Sequence, residues 1–192
     1  MTRWLPAAAL LLAAAVGTYV LLHSNAGHVL VTHIASWQDS HHGLGEPCAD
    51  RQPVAHTGPL GITFDLPRCW TITPSDEGGI PVETILDPGL GKGITVRYIR
   101  RDDSEIWARA EDAFERRRAS PMSNVSQVGA WRIVSAASQR PGSKAPNCYF
   151  EWAIVGNDAA VLAALEVHKF YAQSPKIVAF VQDIDHAMRS IR

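Results

Sequence analysis

Hydrophobic and polar positions divide the chain into three parts. An uncharged apolar run extends from Trp4 to Leu22, and as a helix it would span about 28 Å, close to the thickness of the hydrocarbon core of a bilayer. Beyond it the sequence is rich in His, Gly, Pro and Ser and has no sustained periodicity. From about Leu60 apolar residues recur at the spacing of strands and helices. We therefore predict a signal anchor (1–26), a connector (27–59) and one folded domain (60–192).

Alternation of apolar and polar residues predicts several strands in the domain. The stretch 62–66 alternates, Pro67 ends it because proline has no N–H to donate to a ladder, and Trp70 then resumes the apolar face. The indole is thereby predicted to pack back onto the same core. Further strands are predicted at 82–86, 94–98, twice within 123–138 around Gly129, at 147–155, and at 159–170, where a strand is favoured over a helix because a hairpin partner precedes it.

Two segments have the period of a helix instead. The first begins at Asp103 or Ser104 and ends near Ser120-Pro121. The second is capped by Ser174, with Pro175 at the first helical position. Its apolar stripe consists of Ile177, Phe180, Val181, Ile184 and Met188. Together with the strands, these helices predict an α+β fold in which helices flank an antiparallel sheet.

The distribution of charge predicts where the domain resides. Arg3 is the only charged residue before the apolar run, and no Lys or Arg follows it until Arg51. This asymmetry favours a cytoplasmic N-terminus and a single-pass inner-membrane protein with its domain in the periplasm. Cleavage after Ala26, which would release a secreted or periplasmic protein, is the alternative. The formal net charge of −1 provides no overall electrostatic attraction to nucleic acid, and we exclude nucleic acid as a partner.

Three cysteines and eight histidines are the candidates for covalent or metal chemistry. In an oxidising compartment Cys69 and Cys148 are the preferred disulfide, although Cys48 can replace either and a fully reduced state stays open. Zn²⁺ or Cu ligands would come from His41, His42, Cys48 and His56, yet their spacing matches no defined motif, so no cofactor is predicted. A thiol enzyme would combine Cys69 or Cys148 with His168.

Arginines cluster near both ends of the first predicted helix. Arg97, Arg100 and Arg101 end the strand before it, and Arg116 and Arg117 lie at its C-terminus. If the two groups met, they would form a basic patch for anionic lipid or an acidic partner. Ordinary solvated charge that complements the helix dipole is the alternative.

The two ends of the domain carry a family resemblance. The stretch "FDLPRCW" at 64–70 resembles the opening of Mog1/PsbP-like domains, and "IDHAMRSIR" at 184–192 resembles their terminal helix. The resemblance implies that Phe64, Leu66, Pro67 and Trp70 are core residues, and Cys69 departs from the family pattern. It also implies an accessory or binding role without catalysis. We therefore predict a non-catalytic envelope module that recognises another protein; a metal-binding protein and a thiol enzyme are the alternatives.

Overall fold

The computed structural model of the protein describes residues 44–139, 147–169 and 171–192. The predicted anchor, and the connector up to residue 43, lie outside these residues. In the part that the structure describes, no helix combines the length and apolar character needed to span a membrane.

Nine strands and two α-helices follow one another along the described residues. The strands are β1 Pro53–Thr57, β2 Thr63–Pro67, β3 Thr71–Glu77, β4 Ile80–Asp87, β5 Lys92–Arg100, β6 Ser123–Val128, β7 Trp131–Gln139, β8 Asn147–Val155 and β9 Ala159–His168. The helices are α1 Ser104–Arg118 and α2 Pro175–Arg189, and a short 3₁₀ turn occupies Pro59–Gly61.

Seven of the strands form one antiparallel sheet in the order β3-β4-β5-β9-β8-β7-β6, and β1 pairs with β2 in a separate two-stranded sheet. β3 and β6 are therefore the two edges of the large sheet. The segment 159–168 is a strand, as predicted, and it lies at the centre of the sheet between β5 and β8.

The large sheet separates two apolar cores. Successive residues of a strand point to opposite faces, and Trp152 accordingly belongs to one core while Ala153 belongs to the other. On the first face α2 and β2 cover the sheet, with Phe64, Leu66 and Trp70 buried among them. The prediction that Trp70 returns to the core begun by β2 is confirmed.

Helix α1 covers the second face. The Asp103 carboxylate accepts a hydrogen bond from the Ile106 N–H at 3.0 Å, which satisfies one of the unpaired donors of the first turn. The buried face of α1 comprises Trp107, Ala110, Ala113 and Phe114. The predicted bounds of this helix are confirmed, although Trp107 was not recognised as a core residue.

The predicted fold class is wrong because strands outweigh helices. Strands take up 48% of the described residues, in a seven-stranded and a two-stranded sheet, against two helices. It remains an α+β fold only in the coarse sense that helices and strands share its cores. One physical reason is that the pairing of β3 with β4 continues through the polar run Pro74–Glu77, since backbone hydrogen bonds do not require apolar side chains.

The folded part also begins earlier than the predicted boundary at residue 60. Strand β1 lies within the predicted connector and pairs with β2 over the full length of both. Before it, Leu44 is buried and the Arg51 guanidinium lies 3.0 Å from the Asp183 carboxylate of α2. Residues 44–52, which we call the N-terminal strap, are thus held against the domain.

A disulfide joins this strap to the turn between β2 and β3. It links Cys48 to Cys69, with 6.1 Å between their Cα atoms, a typical separation for a disulfide. The preferred pair Cys69–Cys148 is therefore wrong. The sequence placed Cys48 in an unstructured connector, whereas Asp87 fixes its backbone by accepting the Cys48 N–H at 3.2 Å.

Candidate functional site

An open groove lies between α2 and the strands β6, β7 and β8. Its volume is about 480 Å³, within the range of sites that accommodate a small ligand or the side chains of a partner. We call it the α2 groove. Its lining residues are Met122, Asn124, Ser135, Ala136, Ala137, Phe150, Trp152, Val181, Gln182, Asp185, His186 and Arg189.

The apolar part of the groove arises where α2 leaves the sheet partly uncovered. In the register of β7 and β8, Ala137 lies opposite Phe150, and both line the groove. Val181 borders them from α2, and Met122, which is 69% exposed, lies just before β6. Exposed apolar surface of this kind marks interaction sites and ligand-binding grooves.

The polar part of the groove is an internally paired cluster around Asp185. The Asp185 carboxylate accepts the Trp152 Nε1–H at 3.0 Å and the Arg189 Nε–H at 2.7 Å. Arg189 also donates to the hydroxyls of Ser126 and Ser135 on the neighbouring strands. Arg189 therefore ties the end of α2 to β6 and β7 and is a positioning residue for the groove.

The same contacts set the charge state of the cluster. Burial by itself raises the pKa of Asp185, but the hydrogen bonds from Arg189 and Trp152 outweigh it and hold the pKa below its ordinary value. Asp185 is thus an anion at neutral pH, and it is a poor proton acceptor there. The polar groups of the cluster thus form an ion pair, and the Asp185 carboxylate is not an unpaired charge.

We expect Arg189→Gln to raise the pKa of Asp185 and to remove its stabilising contribution. A carboxyl whose pKa is depressed in the folded state contributes stability above its unfolded pKa of about 3.9, and this contribution is lost as the pH falls through the folded pKa. The difference in free energy of unfolding between the wild type and Arg189→Gln should therefore have its largest value at about pH 7 and decrease below about pH 4. Urea titrations at several pH values and ¹³C carboxyl NMR measure the two effects.

The control for this experiment is Arg109→Gln. Arg109 makes the same type of (i, i+4) ion pair, with Glu105 of α1, but both side chains are largely exposed, at 72% and 76%. Exposed pairs contribute little, so this variant should unfold like the wild type at each pH. An Arg189→Gln deficit that stayed constant down to about pH 3 would contradict the assignment to Asp185.

A second polar cluster is buried beneath β1. The Tyr98 hydroxyl donates to the Glu83 carboxylate at 2.5 Å, and His56 Nε2 lies 3.0 Å from the same carboxylate. Burial raises the pKa of Tyr98, and the Glu83 carboxylate raises it further. Gly58 lies so close that a Cβ there would be 2.6 Å from the Tyr98 hydroxyl. The cluster holds β1 to β4 and β5, because its members come from three strands.

The structure gives the predicted metal ligands other roles or does not describe them. His41 and His42 lie outside the described residues, Cys48 forms the disulfide, and His56 contacts Glu83. No group of three metal-ligating side chains occurs in residues 44–139, 147–169 and 171–192. The described residues therefore do not assemble the predicted site, and a site formed by His41 and His42 stays a prediction.

The thiol pairs proposed from the sequence are not assembled either. Cys69 is oxidised in the disulfide with Cys48 and therefore has no free thiol to act as a nucleophile. Cys148 pairs in register with Val167, whereas His168 lies opposite Asn147. Because neighbouring residues of a strand alternate between faces, the side chains of Cys148 and His168 leave the sheet on opposite sides.

The two groups of arginines lie at opposite ends of α1, so the predicted basic patch does not form. The fifteen-residue helix is about 22 Å long and separates them. Near its start, Arg97 pairs with Glu77 at 2.9 Å and the Arg101 guanidinium stacks 5.3 Å from the centre of the Trp107 ring. Arg100 is exposed at the end of β5. Near the end of the helix, Arg116 pairs with Asp112, and Arg117 pairs with Glu151 at 2.7 Å.

Sequence reasoning missed the α2 groove itself. One local signal existed, because Asp185 and Arg189 have the (i, i+4) spacing of an ion pair on one helix face. The other half of the site depends on which strands α2 crosses. Neither the contact of Trp152 with Asp185 nor that of Ser135 with Arg189 follows from sequence spacing.

Comparison with known proteins leaves the family open. No family model matches the chain, and no curated protein matches it. A crystal structure of a protein from Bacteroides thetaiotaomicron VPI-5482 is similar at 10% identity with a TM-score of 0.45, over 72% of this chain and 47% of that one. The chain thus spans about half the length of that protein. A similarity at this level assigns neither a family nor a function to the chain. The Mog1/PsbP-like resemblance stays a prediction.

Proposed function

We propose that the protein is a non-catalytic accessory module of the cell envelope, tethered to the inner membrane by residues 4–22, and that it recognises another protein through the α2 groove. The observation that carries this proposal is the groove, in which apolar side chains from β7, β8 and α2 surround a neutralised ion pair. An apolar surface with a few fixed polar groups is typical of a binding site.

The hydrogen bonds within the groove favour binding over catalysis. Asp185 and Arg189 bond to each other and to Trp152, Ser126 and Ser135, so these groups are held in place. Nucleophilic catalysis needs a nucleophile in hydrogen-bond contact with a base. Within the described part of the groove, His186 is the candidate base, whereas the Ser135 hydroxyl accepts a hydrogen bond from Arg189.

The partner that fits the groove is a protein segment with one or two apolar side chains and no net charge. Phe150, Val181 and Ala137 offer an apolar surface, and Asp185 is already neutralised by Arg189. A charged side chain would lose its hydration there without gaining an unpaired counter-charge.

We expect Ala137→Glu to weaken partner binding by at least about tenfold, because the longer anionic side chain fills the groove. The experiment is affinity purification of the full chain from solubilised membranes, followed by titration of the recovered partner. Ala108→Glu is the matched control, since Ala108 is exposed on α1 on the other face of the sheet. A stoichiometric partner that is lost with Ala137→Glu and kept with Ala108→Glu supports the proposal. Equal recovery by both variants would contradict it.

A further inference from the structure

The two edges of the large sheet differ in how they are protected against pairing with another strand. The edge strand β3 contains Pro74 and ends in Asp76 and Glu77, and proline and charges are the usual devices that block edge-to-edge association. The opposite edge strand β6 has the sequence SNVSQV, with no charge and no proline. In the part of the chain that the structure describes, β6 pairs with β7 alone.

Exposed apolar side chains accompany this unprotected edge. Four large apolar residues are exposed among the described residues, and two of them are Met122, next to β6, and Val125 within it, which is 50% exposed. Val125 lies opposite Val134 of β7, a residue of the core beneath α1. An open strand edge with exposed apolar side chains is a template for another strand.

We propose that a second copy of this chain pairs with β6, antiparallel and about a two-fold axis at Val125. In this register Val125 faces its own symmetry mate, Asn124 faces Ser126, Ser123 faces Gln127, and Met122 faces Val128. Apolar residues thus meet apolar residues, and amides meet hydroxyls, as in favourable cross-strand pairs. The strand itself has no charge, so its own side chains bring no like charges together in this register. Self-pairing of β3 would bring its acidic residues into one interface.

This arrangement joins the two large sheets into one continuous sheet and places both copies of α2 on the same face. The residues of β6 that face the α2 side alternate with Val125, and Met122 lines the α2 groove. The pair of Met122 with Val128 of the second copy therefore borders each groove. Self-association does not depend on the proposed recognition of another protein, and the two are tested separately.

The interface is small, so the dimer is expected to be weak. A strand pair of six residues with its flanking side chains buries less than the roughly 1,200 Å² of a standard specific interface. We expect a dissociation constant of about 10–100 μM. The full chain in density-matched detergent, studied by sedimentation equilibrium up to about 500 μM, should show a monomer–dimer equilibrium in this range.

Two variants at Val125 test the register, each with a control variant on β3. Val125→Lys places two positive charges on the two-fold axis, and it should weaken the dimer by about tenfold or more. Ser75→Lys, the same type of change on the β3 edge, should leave it unchanged. Val125→Cys should form an intermolecular disulfide, since Cα atoms of directly opposed residues lie about 4.5–5.5 Å apart, within disulfide range. Thr73→Cys on β3 should cross-link no more than the wild type.

The outcomes decide the proposal in either direction. A wild-type dimer that Val125→Lys weakens, together with cross-linking at Val125→Cys, supports it. A monomer at all concentrations would overturn it, and so would a dimer that is indifferent to Val125→Lys. If the wild type is monomeric and Val125→Lys instead reduces recovery of the protein partner, the edge is a site for that partner and the self-pairing proposal is wrong.

Discussion

Phe180→Ala is expected to lower the free energy of unfolding by about 4 kcal/mol. The Phe180 side chain is completely buried on the inner face of α2, and its ring centre lies 5.1 Å from that of Trp70. Truncation removes the apolar contacts of the ring and leaves a cavity that the surrounding sheet cannot close. Equilibrium urea unfolding of the full chain, followed by far-UV circular dichroism, measures the change.

The control on the same helix is Val178→Ala. Val178 is 43% exposed, so its removal should change the free energy of unfolding by less than about 0.5 kcal/mol. A double-mutant cycle of Phe180→Ala with Trp70→Ala should give a coupling energy of about 1 kcal/mol, because the two rings are in contact. Additive effects of the two substitutions would show that the contact between Trp70 and Phe180 does not fix α2 to the sheet.

Removal of the disulfide is expected to lower the free energy of unfolding by about 3 kcal/mol. The bond joins residues 21 apart in sequence, and opening a loop of this length restores conformational freedom mainly to the unfolded chain. The double variant Cys48→Ser, Cys69→Ser should therefore unfold at lower urea concentration, and reduction of the wild type should produce a similar loss. The loss should appear together with release of the N-terminal strap, measured as faster amide exchange in residues 44–52.

Cys148→Ser serves as the control because it leaves the disulfide intact, and it should change the free energy of unfolding by less than about 1 kcal/mol. Peptide mapping without reduction should recover one fragment that contains both Cys48 and Cys69. Recovery of Cys69 linked to Cys148 instead would contradict the structure and restore the pairing preferred from the sequence.

The elements that the sequence determined by itself are those fixed by interactions between residues close together in the chain. The cap of α2 is an example: the Ser174 hydroxyl accepts the Lys176 N–H, and Pro175 occupies the first turn. The alternation that buries Phe64 and Leu66 in β2 is equally local. Capping, turn chemistry and hydrophobic period act between near neighbours in the sequence. The elements that they specify can therefore be predicted from the sequence alone. The existence and approximate bounds of α1, α2 and most strands followed from these signals.

The proportion of strand to helix and the N-terminal boundary of the domain did not follow from local signals. Strand β1 has an exposed, unpatterned sequence, and only its pairing with β2 makes it a strand. The polar half of β3 is held in the same way by β4. In both cases the ladder of backbone hydrogen bonds supplies the stabilisation, and a ladder depends on a partner that the local sequence does not specify.

Tertiary structure alone decided the covalent link and the candidate site. Cys69 meets Cys48 because the N-terminal strap folds back over the turn that follows β2. Asp185 meets Trp152 because α2 crosses β8 at that level of the sheet. These contacts join residues up to 33 positions apart. Their geometry depends on strand register and on the packing of α2 together, whereas the hydrophobic pattern determines only which face of each element is buried.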